Sequence, residues 1–278
     1  MDPFQCCWDR ISRAEAHSKS LSQSWNNVFE GDLYTVDVNV NHDGTGTIEI
    51  TPKLSDFARG FSLQLGELLY QLRAALDSCV YAAAVIDSGK EVPPNAGGLE
   101  FPICTKHDRF IELAANIAPL SKQRRALIEA VQPYNTPDIP AALMIGNYNR
   151  SLFILNNWAR KDRHRRLHIV GTLGFDFSPK LRLPIGTRLG YMRTVNTTFL
   201  KDKCKIADFR IEGWEPSMNV QATPNFSIDI SIDEPPAPCD ANDRFVARLE
   251  GMITTVGVIV RGIEAGVWPI PIRTNTGV

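Results

Sequence analysis

The sequence predicts an α+β fold: a helical bundle with an antiparallel β-sheet or sandwich inserted before the last helix, plus an early β-hairpin. Three observations carry this. Apolar residues recur at helical spacing from about residue 6 to 168 and again from about 240 to 265. Between about 169 and 233 the pattern becomes short alternating runs broken by Pro, Gly and Asn. Near the start, the turn-forming stretch Asn41-His42-Asp43-Gly44-Thr45-Gly46 separates two alternating segments. The 278 residues, 44% apolar and 22% charged, suit a single domain over 1–278 with a substantial core and a loose tail over 268–278.

Taken in order, Ile11, Ala14, Leu21, Trp25 and Val28 give an opening amphipathic helix over 6–29. Leu33 to Val40 and Thr47 to Thr51 are the arms of the hairpin. Ser62 to Ile86 is the most apolar helix. Leu65, Leu68, Leu72, Leu76 and Cys79 fill one arc, with Tyr70, Tyr81 and Ala84 opposite, so it is expected to be buried on all sides as the central pillar. After a Gly- and Pro-rich loop and the extended Phe101-Pro102-Ile103, helices are expected over 106–118 and 121–131, the latter stopped by Gln132-Pro133. A long helical segment follows from Ala141 to Leu167, with a break expected near Gly146. The hairpin and the later sheet are expected to join in space, with helices gathered on one side. Glu234 to Pro238 reads as a stiff linker, and Asp240 as the N-cap of a final helix with Phe245, Leu249, Ile253, Val256 and Val260 in its stripe.

A formal charge of −1 argues against a general polyanion-binding surface but leaves room for a local basic patch. The cysteines at 6, 7, 79, 104, 204 and 239 form no CxxC pair or zinc spacing. The opening MDPFQCCWDR lacks a secretory layout, and no uncharged apolar stretch approaches the ~20 residues of a membrane helix. A reduced, cytoplasmic compartment is expected, with no membrane partner. Phosphate-loop, dinucleotide and serine-elbow fingerprints are absent, and no cofactor is expected.

Two places break the hydrophobic pattern. On the pillar helix, Arg73 and Asp77 stand four residues apart, where they share a face and need partners. Near the end of the later helix, the run from Asn156 to His168 turns Asp162 inward, beside Leu155, Trp158 and Ala159. Arg160, Lys161, His164 and His168 turn outward. Asp162 is expected to meet Arg73, so that Arg73, Asp77 and Asp162 form a structural ion-pair network. Outward, histidine supplies acid–base chemistry near neutral pH, and arginines hold phosphate bidentately. Arg160, Lys161 and Arg165 are therefore candidate phosphate ligands, and His164, Arg163 and His168 candidate catalytic residues. Such a set would cleave a phosphodiester by activating a 2′-hydroxyl, or bind a nucleotide, without metal. His164 and His168 have an i,i+4 metal spacing, but the five neighbouring cations oppose a dication. A solvated face, favoured by the helix dipole, would also explain the run.

Leu72-Arg73-Ala74-Ala75-Leu76-Asp77, Phe101-Pro102-Ile103, Gln132-Pro133-Tyr134 and Asp162-Arg163-His164-Arg165 resemble, in this order, the LRxxLDH, FPI, QPY and DKHR motifs of a widespread group of uncharacterised bacterial and phage-associated proteins. The likeness covers roughly residues 10 to 170, and departs where Ser78 replaces the usual His and Arg163 the usual Lys. The Arg163-to-His168 spacing is also similar to the signature of HEPN-type helical ribonucleases and nucleotide-binding domains. That similarity implies an RNA- or nucleotide-directed protein and a homodimer, and a metal-independent ribonuclease of a toxin or phage-defence type. Whether the chain is an enzyme stays open. The alternative is a non-catalytic anion- or nucleotide-binding or protein-interaction module.

Overall fold

A computed structural model describes residues 2–29, 34–53, 55–135, 148–164, 167, 169–173, 179–195, 200, 202–223, 228–233 and 244–267. The fold is α+β, with α1 (Gln5–Phe29), β1 (Tyr34–Val40), β2 (Thr45–Pro52), α2 (Ser55–Ser88), α3 (His107–Glu112), α4 (Lys122–Ala130) and α5 (Tyr148–His164). β3 (Ile169–Leu173), β4 (Lys180–Arg182), β5 (Arg188–Thr194), β6 (Cys204–Glu212), β7 (Gln221–Thr223), β8 (Ile228–Ile232) and α6 (Phe245–Ala265) complete it. The chain divides into two compact units. A helical unit comprises Met1–Ser22, Leu63–Leu167 and Val246–Val278; a β-rich unit comprises Gln23–Ser62 and His168–Phe245.

The helical unit is built on α2. Leu65, Leu68, Leu69, Leu72, Leu76, Cys79 and Val80 are wholly buried along it, as are Ala14 of α1 and Leu249, Met252, Val256 and Val260 of α6. Burial of each large side chain stabilises the fold by about 1.5–3 kcal/mol, so this seam is the main hydrophobic contribution. The expectation that α2 is buried on all sides is corrected. Leu63 and Tyr70 are each 63% exposed, and Tyr81 lies partly in water. A tyrosine counts as apolar in a periodicity, yet its hydroxyl favours the surface. The helix also begins at Ser55 rather than Ser62.

Residues 106–118 do not form one helix. α3 ends at Glu112, Leu113 leaves helical geometry (φ −91°, ψ 5°), and a 3₁₀ turn follows over Ala114–Ile117. Among them only Phe110 and Ile117 are buried, too few anchors to hold a regular helix together. α4 is capped by Ser121, whose hydroxyl accepts from Arg124 N–H at 3.4 Å. The expected break near Gly146, the linker from Glu234 to Pro238, the cap at Asp240 and the tail over 268–278 lie outside the described residues.

In the β-rich unit the hairpin joins two of the later strands, in the antiparallel order β1-β2-β6-β5, so the expected joining of hairpin and later sheet is only partly formed. β2 faces β6 from Thr45↔Arg210 to Ile50↔Cys204, with a register shift at Ile48/Glu49. Ile48, Ile50, Ile206, Phe209 and Ile211 form the buried side. Alternation puts Asp37 and Glu49 on the other face, where both meet Lys203 Nζ, at 3.0 and 3.1 Å. At the hairpin tip Gly44 holds φ +80°, and a Cβ there would stand 2.3 Å from the Ile211 carbonyl oxygen, which leaves room only for glycine. β3–β8 and β4–β7 are separate two-stranded antiparallel ladders. No helix among the described residues is long and apolar enough to cross a membrane.

Candidate functional site

Two groups of side chains in the helical unit contain the residues singled out in the sequence. The first surrounds the extended segment after the Gly-rich loop. Arg73 donates to the Phe101 carbonyl at 3.4 and 3.3 Å, and the Asp77 carboxylate accepts from Phe101 N–H at 3.0 Å. The two side chains thus bracket one residue of extended backbone, satisfying groups that no β-ladder reaches. Arg73 also contacts Asp77 at 3.4 Å and Glu100 at 3.3 Å. Burial raises the Asp77 pKa above the ordinary carboxylate value, while Arg73 and the more weakly acting Arg163 lower it.

Gln132 holds the same segment from the opposite end and is completely buried. Its carbonyl accepts from Cys104 N–H at 2.8 Å, and its amide donates to Pro102 O at 2.8 Å and Ile128 O at 2.9 Å. Asn149, in the first turn of α5, donates to the Gln132 backbone carbonyl at 2.7 Å. Three of the four motifs noted in the sequence, around Arg73, Phe101 and Gln132, therefore meet in one polar clamp.

The second group lies at the C-terminal end of α5. Leu152, Leu155, Trp158 and Ala159 bury the inner face of this helix, and Arg248 of α6 sits 5.9 Å over the Trp158 ring. Asp162 does turn inward, but it does not meet Arg73. Its carboxylate rests against Gly66 of α2, where an added Cβ would lie 2.5 Å from Oδ2. Gly66, buried amid leucines, lets the two helices approach closely enough for the carboxylate to occupy the space of a missing side chain. No described residue bonds to that carboxylate, and burial raises its pKa. The expected three-residue network is thus corrected: Arg73 and Asp77 pair, and Asp162 stands apart because the Arg73 guanidinium is already engaged by Glu100 and the Phe101 carbonyl.

Arg160, Arg163 and His164 are exposed at this end of α5, and Lys161 is half-buried. No ion pair among the described residues takes up Arg160, Arg163 or His164. The side chains sit near helix carbonyls bearing partial negative charge, so their own charges, and not the helix dipole, would attract an anion. Arg165 and His168 lie outside the described residues. Among the described residues no group of three His, Cys, Asp or Glu side chains is placed to hold a metal ion.

Two features escape sequence reasoning. Gln132 reads as a helix stop, although a buried amide before a proline is a strong hydrogen-bonding group. Gly66 carries a signal that could have found it, since a lone glycine inside an apolar helix marks close approach of another chain segment. Comparison with protein-family models, with curated proteins and with solved structures gives no match to this chain.

Proposed function

We propose that the C-terminal end of α5 binds the phosphates of RNA or of a nucleotide, with Arg160 and Arg163 as the phosphate ligands. In this HEPN-like reading His164 is the proton-handling group of a metal-independent cleavage at the 2′-hydroxyl. The single observation that carries it is the exposure of Arg160, Arg163 and His164 on a helix whose opposite face is buried. A guanidinium without a carboxylate partner keeps its bidentate fork for an incoming anion. The buried face fixes the helix, so the three side chains present themselves from a rigid support.

Binding of a fluorescent single-stranded RNA, measured over a salt series, tests the proposal. Arg160→Ala combined with Arg163→Ala should weaken binding about tenfold or more and reduce the salt slope by about two, one for each lost phosphate contact. Unchanged affinity in the double variant would overturn it. Cleavage of the same RNA in chelator, lost in His164→Ala with retained binding, supports the catalytic form; binding without cleavage in the unsubstituted protein leaves the anion-binding module.

A further inference from the structure

Away from the α5 site, two buried sulfurs have no part in the proposed function. Cys7 of α1 and Cys79 of α2 are each completely buried, and their thiols lie within hydrogen-bonding reach of one another. Two other contacts fix the relative direction of the helices. Arg10 donates to Gln71 at 3.2 Å, and His17 approaches Glu67 at 3.5 Å. As α1 advances from Arg10 to His17, its partner on α2 retreats from Gln71 to Glu67, so the helices run antiparallel. Going the other way, from Arg10 back to Cys7, carries the contact past Gln71 toward Cys79. The interhelix contacts thus run in the direction of the sulfur–sulfur contact.

We propose that Cys7 and Cys79 form an intramolecular oxidation site that a hydroperoxide closes into a disulfide joining α1 to α2. The Cys7 thiolate attacks the peroxide oxygen; the O–O bond breaks, leaving a sulfenic acid on Cys7 and releasing an alcohol, or water from hydrogen peroxide. The Cys79 sulfur then attacks the Cys7 sulfur, its thiol proton leaves with the displaced hydroxide as water, and the S–S bond forms. Two thiols have lost two electrons and two protons to one peroxide. The Cys7 sulfur is the one oxidised first. The Cys79 thiol beside it lowers its pKa, whereas burial raises that of Cys79 well above the ordinary thiol value. Cys7 also lies near the start of α1, beside the exposed Cys6, where the outer turn of a helix opens most readily.

The test treats the folded full chain with hydrogen peroxide, alkylates the remaining thiols, and maps cross-linked peptides by mass spectrometry. Titratable thiols should fall from six to four, with a Cys7–Cys79 peptide that reductant removes. Cys6→Ala should keep the cross-link. Cys79→Ala should lose it and leave a sulfenic acid on Cys7 that dimedone traps. Cys104, also buried and with no thiol beside it among the described residues, should stay reduced over the same exposure. Oxidation that consumes Cys6 into intermolecular disulfides while Cys7 and Cys79 remain alkylatable would overturn the proposal. So would a cross-link that forms only in denaturant. If Cys79→Ala fails to fold by circular dichroism, the peptide map of the Cys6→Ala protein decides alone.

Discussion

The clamp around Phe101 and the end of α5 are both rich in charged and polar side chains, yet those side chains are engaged very differently. At the clamp Arg73 is shared among Asp77, Glu100 and the Phe101 carbonyl, and the Gln132 amide makes three bonds in a fully buried position. At the end of α5, Arg160, Arg163 and His164 face water with no ion-pair partner among the described residues. A polar group whose bonds are all made by its own chain supports the architecture; one left with bonds to make is available to a ligand. The sequence already separates a structural ion pair on α2 from an outward basic run on α5, but it does not name the partners. Glu100 and the Phe101 carbonyl are what close the first region.

The sharpest way to break this contrast is to remove Gln132. Gln132→Ala leaves Cys104 N–H and the Pro102 carbonyl without partners in a closed interior, which should cost about 3 kcal/mol or more, read by urea denaturation. The Arg160/Arg163 double alanine variant should stay within about 0.5 kcal/mol of the unsubstituted protein in the same assay. Equal losses would erase the distinction between the regions.

A smaller effect is expected at the glycine under Asp162. Gly66→Ala places a methyl group 2.5 Å from Oδ2 and should destabilise by about 1 kcal/mol, the better helix propensity of alanine offsetting part of the clash. Adding Asp162→Ala should recover much of that loss, since it removes the clashing carboxylate; an additive double variant would show that the two residues do not meet.

The smallest effect is a pH dependence. The folded chain holds the Asp162 proton more tightly than the unfolded chain does. This residue's contribution therefore makes stability fall as pH rises from the ordinary carboxylate range through the raised pKa, and level off above it. Asp162→Asn should melt higher than the unsubstituted protein at neutral pH, and the gap should close as pH drops below about 4. A gap that widens on acidification would mean that the carboxylate has a cationic partner.

Much of the architecture was legible in the sequence. The turn at Asn41–Gly46, the alternation of β6 and the apolar period of α2 and α6 each follow from local chemistry. The expected joining of the hairpin to the later strands holds for β5 and β6, while β3–β8 and β4–β7 pair apart. Helix existence was easier to read than extent. The break at Leu113 depends on which of its neighbours find a core, and that is decided by packing rather than by period. The candidate site was legible as composition and not as contacts. The inward turn of Asp162 follows from 100° per residue, but its neighbour depends on the separation of α2 and α5, which Gly66 sets from a distance in sequence. Arg73 finds Glu100 and Phe101 through a loop whose course no periodicity describes.

The missing side chain at Gly66 has one more consequence, for alignment. A carboxylate seated in a gap one residue wide works like a key in a slot. Sliding α5 one turn toward the C-terminal end of α2 would bring Asp162 over Leu69 or Tyr70, side chains that fill the space a glycine leaves. Movement in that direction is thereby blocked, and the height at which Arg160, Arg163 and His164 project is set in part by an atom that is not there.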